Sequence, residues 1–162
     1  MNSEHLSILR SLQHGDSFFP AGAIAMSGGL ETLVDEHRVD SVQTVEDFLS
    51  GQLDCRWATM ERPIVVAASR TCKDLEVSRD IDMQVEAQTL AAELRVGSVR
   101  SGRALLQVHA NLDTNNAKKY REMIQKGQAM GHNMVVQGLV WGNIGLSENL
   151  ICLLYTSPSP RD

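Results

Sequence analysis

The chain has 162 residues, of which 43% are hydrophobic, and 15 Lys and Arg stand against 20 Asp and Glu, for a formal net charge of −5. This length and hydrophobic content suit one globular domain, and the acidic balance argues against a nucleic-acid binder, whose binding surface is basic. A protein or a small ligand is therefore the expected partner.

The cysteines and the most apolar stretches indicate the compartment. Cys55, Cys72 and Cys152 are odd in number and widely spaced, which argues against both a disulfide framework and a zinc ribbon. We interpret Cys55 and Cys72 as small buried hydrophobic residues. Residues 1–10 lack the basic character of a signal peptide, and polar side chains interrupt residues 134–154 too often for a membrane span. The sequence therefore predicts a cytoplasmic protein.

The first part of the chain predicts two helices joined by a loop. Leu6, Leu9 and Leu12 recur at helical spacing, and the stretch HGDSFFPAG, residues 14–22, breaks that helix with its glycines and proline. Ser27 is the predicted N-cap of the second helix. The loop is thus expected to be a bent connection between helices.

A third helix is predicted to begin at Thr44, which forms a capping-box pattern with Asp47 three residues later. Its apolar positions follow at steps of three or four residues, namely Val45, Phe48, Leu49, Leu53, Trp57 and Met60. Pro63 lacks the backbone N–H that a helix interior needs. It is therefore predicted either to kink this helix or to begin a new one.

The second part of the chain predicts more helices and no strand. One long helical pattern extends from about residue 81 to residue 108, with Leu90, Leu94 and Leu105 on its apolar stripe. Further helices are predicted near residues 117–126 and 131–146. Because no stretch alternates with a period of two residues for long enough, the predicted fold class is all-α, a single-domain helical bundle.

Five glycines are predicted to lie on one face of the last helical segments. At about 100° per residue, positions 127, 131, 138, 142 and 145 share a narrow face, while apolar side chains cover much of the rest. Each glycine costs up to about 1 kcal/mol relative to alanine, so the close approach of another helix must compensate. The predicted neighbour is the stripe of small residues formed by Gly97, Ser98 and Ser101.

The last stretch, ICLLYTSPSPRD, does not continue the helical pattern. We interpret it as the translated end of a sequencing adaptor or a frame error and exclude it from the predicted fold. The expected division is a helical domain over residues 1–150, incomplete at its C-terminus, and a non-native tail over residues 151–162.

The sequence contains no recognisable catalytic, cofactor or metal motif. The glycines at positions 22, 28 and 29 lack the Lys of a P-loop and the spacing of a dinucleotide-binding loop. The five histidines are dispersed, and no G-x-S-x-G nucleophile elbow occurs. We therefore predict no catalytic residue, no cofactor and no metal ligand, and a protein that acts by binding others.

A few polar residues nevertheless have two interpretations. His132 is expected to be a hydrogen-bonded histidine at a helix start rather than a metal ligand. Arg95, Arg100 and Arg103 fall opposite the leucine stripe, where they form either a solvated face or a docking surface for an acidic partner.

Residues 9–39 resemble the N-terminal signature of the UreF family of urease accessory proteins. In that signature a leucine-rich helix leads into D-S-x-x-P-x-G and then S-x-G-L-E, and the matching positions are Asp16, Ser17, Pro20, Gly22, Ser27, Gly29, Leu30 and Glu31. Ile24 and Met26 stand where the family usually carries ring-bearing residues. Residues 93–107 resemble its central arginine-bearing helix, and residues 131–147 resemble its G-H-x-x-V-x-G-like segment.

The resemblance implies an all-α chaperone that forms a homodimer, joins UreD (also called UreH) and recruits the GTPase UreG, so that nickel reaches apo-urease. Nucleotide hydrolysis and most of the metal binding would then belong to the partners. The matching positions of the signature, together with Arg95, Arg100, Arg103 and His132, are the candidate partner-binding residues.

Two alternatives of other classes stay open from the sequence. The first is a helical enzyme or small-ligand binder whose site is assembled from the dispersed residues His109, His132, Glu93 and Arg95. The second is a metal carrier that uses His132 and Cys55 directly.

Overall fold

The fold is built from helices, as predicted. The computed structural model describes residues 3–16, 19 and 28–156, and no strand occurs among them. The elements are α1 (Ser3–Gly15), α2 (Leu30–Asp35), α3 (Val42–Gly51), a π-helical segment (Gln52–Glu61), α4 (Arg62–Arg70), α5 (Leu75–Gln88), α6 (Ala92–Asn111), α7 (Ala117–Gln125), α8 (Asn133–Asn143) and α9 (Glu148–Thr156). None of these helices is both long enough and apolar enough to cross a membrane.

Helix α8 is the centre of the hydrophobic core. Its side chains at Val135, Val136, Leu139 and Val140 are completely buried. Helices α4 and α6 pack against it from different sides, and α5 also contacts it. A helix that is apolar nearly all round is expected to be buried, and α8 confirms this expectation.

Two glycines of α8 make the predicted close approach, but to α4 and not to the small residues of α6. A Cβ atom at Gly138 would lie 2.3 Å from the carbonyl oxygen of Val65, and one at Gly142 would lie 2.5 Å from that of Ser69. The small residue by which α6 approaches this part of the chain is Gly102, where a Cβ would lie 2.2 Å from the Gly131 carbonyl oxygen. The predicted neighbour was therefore wrong.

The other three glycines of the predicted face lie outside α8. Gly127, Gly131 and Gly145 adopt positive φ angles of 71°, 86° and 78° in the turns beside the helices. Glycine enters this left-handed region without the steric cost that a Cβ atom imposes. The five-glycine face was wrong because α8 begins only at Asn133 and ends at Asn143.

The long helical pattern predicted over residues 81–108 is in fact two helices, α5 and α6. Thr89 leaves the helical conformation, and its hydroxyl donates a 2.8 Å hydrogen bond to the Val85 carbonyl at the end of α5. Leu90, which was placed on the apolar stripe, is 90% exposed. Arg95 donates to the carbonyl oxygens of Thr89 and Leu90, so a side chain of α6 satisfies acceptors that the end of α5 leaves unpaired.

Helix α3 begins three residues earlier than predicted. Ser41 is its N-cap, and the Ser41 hydroxyl accepts from the Thr44 N–H at 3.3 Å. The Thr44 hydroxyl in turn accepts from the Ser41 N–H at 3.0 Å, so Thr44 is the third helical residue of the capping box and not its cap. Pro63 lies in the first turn of α4, but Glu61 and Arg62 before it are helical and the π-helical segment leads into α4 without a break. Pro63 therefore lies near the change from π-helical to α-helical hydrogen bonding within a continuous helical run, and it does not begin a separate helix.

Helix α9 crosses the predicted domain boundary at residue 150. Ile151 is 1% exposed and belongs to the core, and α9 contacts both α1 and α4. Arg70 of α4 binds Glu148 of α9 through two parallel hydrogen bonds of 2.7 Å. The non-native origin of residues 151–162 stays a prediction, and the uninterrupted coding sequence downstream of Leu150 tests it.

The three cysteines are free thiols. Cys72 is buried, as predicted, and burial raises its pKa. Cys55 is exposed, because the π-helical segment that carries it buries none of its residues. The interpretation of Cys55 as a buried hydrophobic residue was therefore wrong.

Candidate functional site

Asp82 of α5 holds the turn that leads into α8. Its completely buried carboxylate accepts hydrogen bonds from the backbone N–H groups of Met130 and Gly131, at 2.7 Å each, and of His132, at 2.9 Å. The Tyr120 hydroxyl of α7 donates a further bond of 3.0 Å. Because the N-terminus of a helix presents unpaired N–H groups with partial positive charge, a carboxylate stabilises it. Asp82 thereby ties α5, α7 and α8 together.

The contact with Asp82 also affects the ionisation of Tyr120. Burial raises the pKa of Tyr120, and the charge of Asp82 and the hydrogen bond to it act in the same direction. Tyr120 therefore acts here as a hydrogen-bond donor in its neutral form.

Asp82 is not among the residues predicted for a site, although the sequence carries a signal for it. Ser78, Asp82 and Val85 recur at helical spacing, and all three are buried on one face of α5. A carboxylate on a buried face needs hydrogen-bond donors. The periodicity of α5 indicates this need, but it does not indicate that the donors come from the turn before α8.

His132 lies at the N-cap of α8 and is completely buried, with both ring nitrogens bonded. Its Nε2 atom lies 2.9 Å from Glu86 Oε2 on α5, and its Nδ1 atom lies 3.2 Å from the Ser98 hydroxyl on α6. The Glu86 carboxylate can only accept, so Nε2 donates its proton to Oε2, and the Ser98 hydroxyl also accepts from the Asn133 N–H at 3.1 Å. The prediction of a hydrogen-bonded histidine at a helix start is confirmed.

Glu86 joins His132 to Arg95. The Arg95 Nε atom lies 3.3 Å from Glu86 Oε1, while Oε2 of the same carboxylate binds His132. Two of the four residues predicted for a dispersed site therefore share one carboxylate. The other two do not join them through any contact in the described structure, since His109 binds His14 and Glu93 is exposed.

The three predicted arginines border one groove beside this network. The groove has a volume of about 530 Å³ and is lined by Glu86, Ala92, Arg95, Val96, Val99, Arg100, Arg103 and Met130. Arg103 donates a 2.9 Å hydrogen bond from Nε to the Met130 carbonyl oxygen. Arg100 is exposed and makes no ion pair or hydrogen bond with any part of the chain that the structure describes. Val96 is 67% exposed on the groove floor.

Four of the eight matching positions of the N-terminal signature lie outside the described residues, namely Ser17, Pro20, Gly22 and Ser27. Phe18 and the two departing positions, Ile24 and Met26, lie outside them as well. Gly29, with φ of 99°, is the N-cap of α2 in place of the predicted Ser27, and it is followed by the partly buried Leu30 and the exposed Glu31. The Asp16 carbonyl oxygen accepts from the Phe19 N–H at 3.0 Å.

Two histidines meet where the chain leaves α1 toward this signature. His14 Nδ1 donates to the Arg10 carbonyl oxygen at 2.8 Å, which leaves His14 Nε2 as an acceptor. His109 Nε2, 3.1 Å away, therefore donates to it, and His109 Nδ1 accepts from the Thr114 hydroxyl at 2.9 Å. The Phe19 ring lies 4.5 Å from the His14 ring, measured between centroids. This histidine pair connects α1 to α6 with both rings neutral.

The histidine pair predicts that the fold loses stability in acid. Burial lowers the pKa of His14, and burial, with a smaller effect of His14, lowers the pKa of His109 from 6.5 to about 4. Between these values the unfolded chain binds more protons than the folded chain, so the free energy of unfolding falls as the pH drops from about 6.5 toward 4. We expect His109 to contribute about 2 kcal/mol to this loss, after allowance for solvent screening, measured by urea denaturation at several pH values.

Two variants distinguish the loss of stability caused by His109 from the loss caused by the titration of carboxylates. His109→Gln should flatten the dependence of stability on pH in that window, and His5→Gln, which changes an exposed histidine of α1, should leave it as steep as in the parent. Equal slopes in the parent and both variants would contradict the assignment.

Among the described residues, no group of three or more His, Cys, Asp or Glu side chains converges in a way that could hold a metal ion. In the alternative of a metal carrier that uses His132 and Cys55, both ring nitrogens of His132 are already engaged by Glu86 and Ser98.

The region from α3 to α9 is similar in sequence to a known protein family. A family model described as UreF matches residues 39–157. The urease accessory protein UreF of Trichodesmium erythraeum is 30% identical over 158 residues, which cover 96% of this chain and 68% of that protein. UreF 1 of Brucella melitensis is 29% identical over 137 residues, which cover 83% of this chain and 56% of that protein. No solved structure matches the chain.

The chain thus spans 68% and 56% of the length of these two relatives. The matched range contains Asp82, His132 and the arginine-lined groove, and it begins where the N-terminal signature ends. The matched range therefore includes residues 93–107 and 131–147, which carried part of the resemblance, and leaves out nearly all of the N-terminal signature. Since the family model covers more than half of the chain, the chain belongs to the UreF family of urease accessory proteins.

Proposed function

We propose that this chain is a scaffold in urease maturation, which joins UreD (UreH) and the GTPase UreG to apo-urease so that nickel can be inserted. Membership of the UreF family is the observation that carries the proposal, because the relatives of this chain are named urease accessory proteins. The proposed scaffold acts in the cytoplasm as a homodimer.

The buried polar groups of the described structure are bonded within the fold, which supports a protein that acts by binding others. The carboxylate of Asp82 is saturated by four donors within the fold, and both ring nitrogens of His132 are bonded. Groups held in this way stabilise the packing of α8 and are not poised for proton transfer to a substrate. The polar groups that face outward in the groove are guanidinium groups, which bind carboxylates well.

The proposed scaffold affects UreG through binding energy. A protein without nucleotide chemistry of its own can shift a GTPase between conformations only by binding one conformation more tightly than the other. We therefore expect the complex to change the nucleotide affinity of UreG, and the free chain to hydrolyse no GTP.

Co-expression tests the proposal. The tagged chain is produced with UreD, UreG and the urease subunits, purified by its tag, and analysed by mass spectrometry and a urease assay. UreD and UreG should co-purify, and urease activity should require the chain. The proposal fails if the folded, tagged chain retains neither UreD nor UreG and urease matures equally well in cells that lack the chain.

A further inference from the structure

We propose that the arginine-lined groove bordered by α5, α6 and the turn before α8 is a docking site for an acidic, amphipathic segment of a partner protein. The apolar side chains of that segment would lie on the groove floor, and its carboxylates would bind the arginines. The inference rests on the proposed scaffold function and names the chemistry of one partner surface.

The floor of the groove is suited to aliphatic side chains. It consists of Ala92, Val96, Val99 and Met130, and Val96 is 67% exposed. A single exposed valine is ordinary on a protein surface, but concave apolar surfaces with a few polar groups at the edge are typical of binding sites. A volume of about 530 Å³ accommodates several aliphatic side chains of a short segment.

The arginines are positioned in advance for carboxylates. Arg103 is held through Nε by the Met130 carbonyl oxygen, so its two terminal nitrogens stay available. Arg95 is held through Nε and Nη1 by Glu86 and by the end of α5, which leaves Nη2 available. Arginine donors that are already ordered lose less conformational freedom on binding, and they favour planar, bidentate acceptors such as carboxylates.

The charges around the groove select an acidic partner. The chain as a whole carries a formal charge of −5, whereas the charged residues that line the groove are three arginines and Glu86. The Glu86 carboxylate is already engaged by His132 and Arg95. A positive groove on an acidic protein therefore attracts an acidic segment to this place, while the rest of the surface repels it.

The lining also favours a peptide over a nucleic acid. Single-stranded nucleic acids are bound by basic grooves whose aromatic side chains stack with the bases. The residues that line this groove include no aromatic side chain. The aliphatic floor of the groove suits leucine-like side chains, and the guanidinium groups at its edge suit the Asp or Glu residues that flank them.

Peptide binding to the full chain tests the proposal. The probe is a fluorescein-labelled helical peptide of about 14 residues, with leucines at three- and four-residue spacing flanked by glutamates, and binding is followed by fluorescence anisotropy at low salt. We expect saturable binding that Arg100→Glu weakens about tenfold or more. Val96→Glu should weaken it similarly while it leaves every arginine in place.

The matched control is Arg121→Glu, which reverses an exposed arginine of α7 that does not line the groove. This variant should bind the peptide as the parent does. Since Arg100 and Val96 are also exposed, circular dichroism and urea midpoints should show that all three variants fold like the parent.

Several results would overturn the proposal. One is the absence of binding up to about 1 mM peptide, which corresponds to a binding free energy weaker than about −4 kcal/mol. Another is equal weakening of peptide binding by Arg100→Glu and Arg121→Glu. The proposal also fails if a peptide with serine in place of leucine binds equally well, or if a lysine-flanked peptide binds more tightly. Displacement of the peptide by inorganic phosphate or by a single-stranded oligonucleotide at lower concentration would instead identify an anion or nucleic-acid site, and would also overturn it.

The co-expression experiment separates this inference from the proposed function. If UreD and UreG co-purify with the parent and with Arg100→Glu equally, and the peptide does not bind, the scaffold function stands and the groove proposal fails. If the peptide binds through the groove but neither protein co-purifies, the scaffold proposal fails.

Discussion

The Gly138→Ala variant should lose about 3 kcal/mol or more of its free energy of unfolding, as measured by urea denaturation followed by circular dichroism. The added Cβ atom would lie 2.3 Å from the Val65 carbonyl oxygen and 2.6 Å from the Ala68 Cβ atom. Overpacking a core typically costs about 1–3 kcal/mol, and here one obstacle is backbone, which cannot turn away as a side chain does. The interface between α4 and α8 would have to separate.

The control is Gly51→Ala at the end of α3. Gly51 has φ of −59°, and no heavy atom lies within 4 Å of the Cβ that alanine would add. Alanine loses less conformational freedom than glycine when it folds into a helix, so this variant should gain about 0.4–1 kcal/mol. A Gly138→Ala variant that is as stable as Gly51→Ala would show that α4 and α8 do not meet at Gly138.

The Asp82→Ala variant should lose about 4 kcal/mol in the same measurement. Removing the carboxylate leaves the N–H groups of Met130, Gly131 and His132 and the hydroxyl of Tyr120 without their acceptor. Each buried polar group left unpaired costs about 1–3 kcal/mol, and local rearrangement recovers part of the sum. Because whole domains are stable by only about 5–15 kcal/mol, this loss approaches the point of unfolding.

Asp80→Ala is the matched control on the same helix. The Asp80 side chain is 61% exposed and pairs with Arg79, so its removal should change stability by no more than about 0.5 kcal/mol. Hydrogen exchange adds a local measurement: the amides of residues 130–132 should lose protection in Asp82→Ala and keep it in Asp80→Ala. Unchanged protection in Asp82→Ala would contradict the assigned hydrogen bonds.

Local patterns predicted much of the secondary structure, and they failed where a helix end depends on a few specific polar contacts. The periodicity of residues 81–108 continues across the junction of α5 and α6, so the pattern alone could not reveal the break. That break depends on Thr89 and on Arg95, which reaches back from the next helix. The capping box was predicted three residues too late because Ser41 and Thr44 both satisfy the preference for hydroxyl groups at a helix start.

The sequence predicted several residues of the candidate site, but it did not predict which of them contact one another. Arg95, Arg100 and Arg103 were visible on one side of a helix, since at 100° per residue they fall within an arc of about 140°. Their relation to Glu86 and Met130 was not visible, because those residues come from another helix and from the turn before α8. The same holds for His14 and His109, which are 95 positions apart.

The sequence by itself determined the all-α class, the burial of α8 and the resemblance to the UreF family. These follow from residue types and from spacings within a few turns of helix, where the backbone geometry is known in advance. Only the tertiary structure decided that α4 receives Gly138 and Gly142 and that Asp82 binds the turn before α8. Asp82 and its backbone donors lie 48 to 50 positions apart, and no local periodicity specifies which distant surfaces pack together.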